Sequence, residues 1–243
     1  MTKIDQDYKL YNQTAESYDH IRFSGFSGQW GHKIQIQQLQ HTLGDLTGKK
    51  VLEIGCGTGR VTQLLASLGA NVTATDISSE MLGVAQTRLD GQPQSGNVTF
   101  REMSVFEIDL DLSEFDVVIM INVLGRLSKS EIAIKNIGEA IDTKTRFLFN
   151  YPCMTSIMLP FAILVNIRKK SLARNVTSRW YSPWQVSRIC ANAGIAITKV
   201  KGHHYVPVPR LLFWTFPIFW LCDLLFPKFF PNLCPSVLLD CNK

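Results

Sequence analysis

A chain of 243 residues with a net charge of +5 suits one large domain, or a domain with an appendage, and the charge is too modest to argue for nucleic acid. Its six cysteines, at 56, 153, 190, 222, 234 and 241, form no Cys-x-x-Cys pair and no Cys/His spacing suited to zinc, so no metal site is expected. Residues Met1 to Asp7 are polar and charged, so no signal peptide is expected either, and the chain reads as a cytoplasmic protein with free thiols.

Residues 5–20 carry Tyr8, Tyr11, Ala15 and Tyr18 at mostly helical spacing and predict an amphipathic helix. Residues 28–46 predict a second helix, broken by Gly44 and Gly48. Val51, Leu52 and Ile54 are an apolar run suited to a parallel strand covered on both faces. A glycine-rich turn, Gly55-Cys56-Gly57-Thr58-Gly59, leads into a helix over 58–69 with Val61, Leu64, Leu65 and Leu68 on one face. A second strand, 71–76, ends in Asp76, and Ser78 or Ser79 caps the helix after it. Further strands are predicted at 97–102, at 115–121, which is central because it is apolar after its start, and at 145–151. A helix over 128–141 lies between the last two. Ser182 and Pro183 open another helix, and a sixth strand runs from Ala196 to Lys201. The likeliest seventh strand is Ser236 to Cys241.

The turn points to a nucleotide-like ligand at the carboxyl end of the first strand. A nicotinamide site would put glycine at the first, third and sixth positions of the turn, but position 60 is Arg and the third glycine comes one residue early. Glu53 stands ahead of the turn, where a carboxylate repels a pyrophosphate and suits an ammonium group. Asp76 ends the next strand, where a carboxylate accepts hydrogen bonds from two ribose hydroxyls. An amine at one end and a free ribose at the other describe S-adenosylmethionine better than NAD. Ile77 and Met81 are placed to flank an adenine ring, with ordinary core as the other reading.

Glu53-Ile54-Gly55-Cys56-Gly57-Thr58-Gly59, then Asp76-Ile77-Ser78 and Met81-Leu82, resembles the class I S-adenosylmethionine-dependent methyltransferases. Tyr11-Asn12-Gln13-Thr14-Ala15-Glu16-Ser17-Tyr18-Asp19 is similar to the opening of many small-molecule and quinone methyltransferases, where it forms part of a lid. Asn12 stands where that family often has Asp. The resemblance implies an α/β, Rossmann-like seven-stranded sheet of order 3-2-1-4-5-7-6, its last strand antiparallel, with helices on both faces. It extends the cofactor set to Tyr11, Tyr18, Arg22, Val105 and Ser104, the last standing where relatives usually carry an acid. It implies lid and helices at 1–46, a core at 47–202 and 236–243, and an apolar helical insertion at 203–235.

Asn122 follows the fourth strand, near where the sulfonium would lie. The Asn/Asp-Pro-Pro-aromatic turn of nucleic-acid and glutamine N-methyltransferases is absent here; Asn122-Val123-Leu124-Gly125 stands in its place. Arg126 cannot act as a base, because guanidinium does not deprotonate, but it can bind a substrate anion or pair with a surface acid. Tyr151, at the carboxyl end of a strand, Tyr181 and His20 are further substrate-binding candidates. His203 and His204 are the candidate bases, should the acceptor need to lose a proton. The apolar run 157–165 is too short to span a bilayer, which takes about 20 residues. Together with the basic residues 168–170 and the insertion at 205–235, it suggests a substrate cap, a peripheral membrane contact or a homodimer interface. The expected function is methyl transfer, by in-line displacement, to a small lipophilic or aromatic acceptor. The alternatives are a protein or nucleic-acid methyltransferase and a non-catalytic cofactor-binding partner subunit.

Overall fold

The computed structural model describes residues 3–23, 25–156, 179–203 and 229–243. Two helices, α1 (Lys3–Phe23) and α2 (Phe26–Leu43), precede the sheet. The strands are β1 (Lys50–Ile54), β2 (Asn71–Asp76), β3 (Val98–Glu102), β4 (Val117–Met120), β5 (Arg146–Pro152), β6 (Ala196–His203) and β7 (Ser236–Asn242). Between them lie α3 (Arg60–Ser67), α4 (Ser79–Leu89), α5 (Ser130–Ala140) and α6 (Pro183–Asn192).

The strand order is β3-β2-β1-β4-β5-β7-β6, as the resemblance implied. Strands β1 to β5 run parallel, and β7 lies antiparallel to both β5 and β6. Two-residue alternation sorts the strand side chains onto two faces. Leu52, Ile54, Met120, Phe147 and Phe149 share one core with Ile134 and Ile137 of α5 and Val186 of α6. Val51, Val72, Ala74, Ile119 and Leu148 share the other with Leu39 of α2 and Leu65 of α3. Helices therefore cover both faces, which is why β4 could be apolar throughout. Phe147 and Phe149 are fully buried and stacked with ring centroids 5.0 Å apart, each contributing about 2–3 kcal/mol by burial.

Boundaries shift for local reasons. β4 stops at Met120 because Asn122 adopts a left-handed backbone, φ 62°. Helix α3 begins at Arg60, since Gly59 at φ 77° is its cap. β6 runs to His203, whose backbone pairs with Ser236, so the strand takes one residue assigned to the insertion. The insertion as far as 228, the apolar run 157–165 and the basic residues 168–170 lie outside the described residues. Of the rest, Pro231–Leu233 form a single 3-10 turn, and Cys234 is buried. No helix among the described residues is long and apolar enough to cross a membrane.

The parallel strands end together, so the turns after β1, β2, β4 and β5 share one edge of the sheet. The chain reverses its direction of travel between β1 and β4, and such a crevice is where ligands bind in open α/β sheets.

Candidate functional site

The turn after β1 is fixed from below. The Gly55 and Cys56 amides both donate to the Thr75 carbonyl, at 2.8 and 2.9 Å. The Gly57 amide donates to Asp76 Oδ2 at 2.8 Å, and the Ser78 amide to Asp76 Oδ1 at 3.0 Å. Gly57 sits at φ 54°, and a Cβ there would meet nothing within 4 Å, so its backbone faces open space. At Gly59, φ 77°, a Cβ would come 2.9 Å from the Ala85 side chain. That glycine lets the turn pack on α4 and does not itself line a cavity.

Two acids floor the cavity above this turn. Glu53 is 2% exposed, and its Oε2 accepts from the Thr62 hydroxyl at 2.6 Å. Burial pushes its carboxyl up to about 7, against the pull of the Thr62 hydroxyl, and the nearby Asp76 charge adds to the rise. Burial also raises Asp76, although the amides of Ser78, Gly57 and Ile77 oppose it. A buried carboxylate whose strongest electrostatic neighbour is another acid calls for a cation. Beyond Asp76, Ile77, Met81, Met103, Val105 and Phe106 form an apolar slot, with Ser104 among them. The Ser104 hydroxyl accepts from the Phe106 amide at 3.2 Å.

Helix α1 closes the cavity, lining it with Tyr11, Tyr18 and Phe23. Asp19 holds it down. Its Oδ1 accepts from the Thr58 hydroxyl at 2.8 Å and from Arg60 Nε at 3.0 Å, and Arg88 pairs with its other oxygen. Arg88 Nε also donates to the Thr58 carbonyl at 2.6 Å. Burial works to raise the Asp19 carboxyl, but the Arg60 and Thr58 hydrogen bonds and the two guanidinium charges hold it below the usual range. The Arg60 guanidinium lies 4.0 Å from the Phe23 ring centroid, a cation–π contact. Farther along, Asn12 Oδ1 accepts from the Ser78 hydroxyl at 2.5 Å.

A second cavity adjoins the first and shares Phe23, Asn122 and Arg126 with it. Its remaining wall includes Arg22, His32, Gln35, Asn150, Trp180 and Ser236. Asn122 is set by a polar chain at the junction. Its amide donates to Asn150 Oδ1 at 2.5 Å, and its Nδ2 donates to Gln35 Oε1 at 3.1 Å. Asn150 Nδ2 in turn donates to Asn122 Oδ1 and to Ser236 Oγ, each at 3.0 Å. His32 packs against Phe23 with centroids 5.2 Å apart and the rings tilted by 52°. Burial, aided by the Arg60 charge, pushes its imidazole down to about 4, so it is neutral at pH 7.

Residues 51–142 match a family model described as a methyltransferase domain. The chain is 24% identical over 218 residues to a ubiquinone biosynthesis O-methyltransferase of Azoarcus sp., covering 82% of this chain and 91% of that protein. It is 27% identical over 187 residues to a malonyl-[acyl-carrier protein] O-methyltransferase of Bacillus cereus, covering 75% and 66%. Magnesium protoporphyrin IX methyltransferase from Synechocystis, solved with bound SAH, shares the fold at a TM-score of 0.72 and 18% identity, over the whole of both chains. Residues 51–142 are thus a methyltransferase domain, and the relatives support a class I S-adenosylmethionine-dependent methyltransferase.

In this methyltransferase most of the predicted cofactor residues meet at the first cavity: Tyr11, Tyr18, Glu53, Gly55, Cys56, Gly57, Thr58, Asp76, Ile77, Met81, Ser104, Val105 and Asn122. Arg22 is turned instead to the second cavity, and its Nη1 donates to the Tyr18 hydroxyl at 3.1 Å. The substrate candidates divide. Arg126 lines both cavities. Tyr151 is 1% exposed and packs in the core under β5, with its hydroxyl raised chiefly by burial. Tyr181 is also buried and donates to the Leu124 carbonyl at 3.3 Å. Neither tyrosine lines a described cavity, because the sheet and α6 cover both. His20 is exposed on α1 and faces neither cavity. His203 stands at the cavity end of the edge strand, and His204 lies outside the described residues. Sequence reading missed Asp19, His32, Gln35, Asn150 and Ser236. For Asp19 a signal existed in the Tyr18-Asp19 pair; the others are single polar residues without a local pattern.

Proposed function

We propose that this enzyme transfers a methyl group from S-adenosylmethionine to an oxygen of a small acceptor with a largely apolar or aromatic body, bound in the second cavity. The observation that carries the reading is the junction at Asn122 and Arg126, where an acid-floored cavity opens onto one walled by Phe23, Pro152 and Trp180. The O-methyltransferase names of the relatives support oxygen as the accepting atom.

The first cavity fits the cofactor by its chemistry. Glu53 is a buried carboxylate for an ammonium group, Asp76 offers its oxygens to ribose hydroxyls, and the slot of Ile77, Met81 and Val105 suits a planar ring. The open face at Gly57 lets backbone approach closely. S-adenosylmethionine supplies a methyl group already activated for displacement. What remains for the protein is to position the acceptor and exclude water. The chain from Gln35 through Asn122 and Asn150 to Ser236 fixes the junction, and α1 shuts out solvent. His203, in register with Ser236, is the candidate base for an acceptor that must lose a proton.

The test is transfer of a radioactive methyl group into a host extract, followed by solvent partition. Label in the organic phase is the expected result, whereas label confined to precipitated protein or nucleic acid would replace this reading with a macromolecular acceptor. Asp76→Ala is expected to weaken cofactor binding by about 1–3 kcal/mol, roughly 5- to 150-fold. Wild-type affinity in a calorimetric titration would remove Asp76 from the ribose site.

A further inference from the structure

The two cavities differ in their charged lining: the first combines Glu53 and Asp76 with Arg60 and Arg126, whereas among the described residues the second has arginines alone. The first is floored by Glu53 and Asp76. Among the described residues lining the second there is no Asp or Glu, while Arg22 and Arg126 both line it. Among the described residues the Arg22 guanidinium donates to the neutral Tyr18 hydroxyl, at 3.1 Å, and the Tyr18 and Phe23 rings lie 5.8 and 5.9 Å from it. These contacts orient the guanidinium without neutralising it. The polar lining that remains, His32, Gln35, Asn122, Asn150 and Ser236, is uncharged at pH 7.

We propose that the acceptor enters the second cavity as an oxyanion, a carboxylate or a phenolate, held by Arg22 and Arg126, with its apolar body against Phe23, Pro152 and Trp180. This rests on the reading of that cavity as the acceptor site. Guanidinium groups match such oxygens in geometry and charge. An ammonium-bearing acceptor would meet like charge and, among the described lining residues, no carboxylate, so that lining disfavours amines. The chemistry closes without a base. The acceptor oxygen uses its own electron pair to form the O–C bond, and the C–S bond breaks with its pair going to sulfur. The negative and positive charges cancel, and no proton is released. Methyl transfer therefore needs neither His203 nor any other proton acceptor when the oxygen arrives ionised.

The experiment uses four probes built on one ring: benzoate, methyl benzoate, benzylamine and, as a phenolate, para-nitrophenolate. Binding is followed by saturation-transfer NMR on the full chain saturated with S-adenosylhomocysteine. Benzoate or para-nitrophenolate is expected to bind about tenfold more tightly than the ester and the amine, and which of the two wins assigns the oxyanion class. Arg22→Gln and Arg126→Gln should each remove that preference, while Arg126→Lys keeps part of it. An unchanged melting temperature, with S-adenosylhomocysteine kept at a saturating concentration for each variant, shows that the fold is intact. Equal binding of ester and anion, preference for benzylamine, or failure of both anions to bind the S-adenosylhomocysteine complex would overturn the proposal. Failure of S-adenosylhomocysteine itself to bind wild type would instead overturn the reading of the first cavity.

Discussion

At the scale of single residues the acid ahead of the glycine turn is the informative one. The Glu53 carboxyl is buried and, among the described residues, has only the Thr62 hydroxyl as hydrogen-bond partner to ease the loss of water. Its carboxyl rises from 4.5 to about 7, mainly by burial. The folded state therefore binds this proton more tightly than the unfolded chain. Below pH 4.5 both states are protonated, and the group costs nothing. Between that value and about 7 stability falls as pH rises, and above 7 the loss is complete. The loss is about 3 kcal/mol at most, by the linkage of pKa to stability. Glu53→Gln keeps an oxygen for the Thr62 hydroxyl and removes the charge. The variant is expected to melt higher than wild type at pH 8, to converge with it near pH 4, and to bind S-adenosylhomocysteine about tenfold more weakly. Thermal melts across pH, with and without the ligand, check this. A variant no more stable than wild type at pH 8 would mean that the carboxylate is compensated. Glu53 and Asp76 were both legible in the sequence, because each sits at a fixed offset from a strand end.

At the scale of elements the question is what makes α1 a lid. Aromatic spacing was enough to expect a helix, and the observed α1 contains all of 5–20. The clasp that seats it could not be read the same way. Asp19 meets Arg60 and Arg88 at separations of 41 and 69 residues, and no periodicity encodes such pairs. The same holds for Asn122 and Asn150, which are 28 residues apart and meet only because β4 and β5 are neighbours. The strands, by contrast, were legible as apolar runs, and their order was implied by the resemblance that the glycine turn carries. Asp19→Asn keeps one acceptor oxygen and removes the charge between two guanidiniums. The expected outcome is faster hydrogen exchange throughout α1 and cofactor affinity lower by about tenfold. The melting temperature should change little, because the sheet and its two cores do not depend on the clasp. Because Asp19 is held below the usual carboxylate range, the clasp should persist at neutral pH and open only as pH falls through that lowered value. Unchanged exchange in α1 would show that Tyr11, Tyr18 and Phe23 seat the helix without it.

At the scale of the molecule the last strand closes the design. β7 lies between β5 and β6, so the final residues of the chain sit inside the sheet rather than at its edge. One ion pair secures it. Arg146 of β5 donates to Asp240 of β7 through Nε at 2.8 Å and Nη2 at 2.6 Å, and Nη2 also donates to the Thr42 carbonyl at 2.8 Å. The Asp240 side chain is 6% exposed and that of Arg146 28%. Lys201 of β6 reaches the Thr42 hydroxyl at 3.0 Å, so both cations meet the last turn of α2, where the helix dipole favours them. Arg146, at the start of β5, thus joins β5 and β7 to α2, and Lys201 ties β6 to the same turn of α2. Asp240→Asn would leave Arg146 partly buried without its counter-charge. Removing one partner of a buried pair costs about 3–5 kcal/mol, and the partial exposure of Arg146 places this case near about 2–3. The urea midpoint should drop accordingly with an unchanged slope. Affinity for S-adenosylhomocysteine, measured well below the transition, should equal that of wild type, because the pair stands at the opposite end of the strands. A variant that keeps its midpoint would show that packing of Val237, Leu239 and Cys241 against β5 holds the strand alone. Lost affinity at full stability would mean that the closing strand reports directly to the cavity through Ser236 and Asn150.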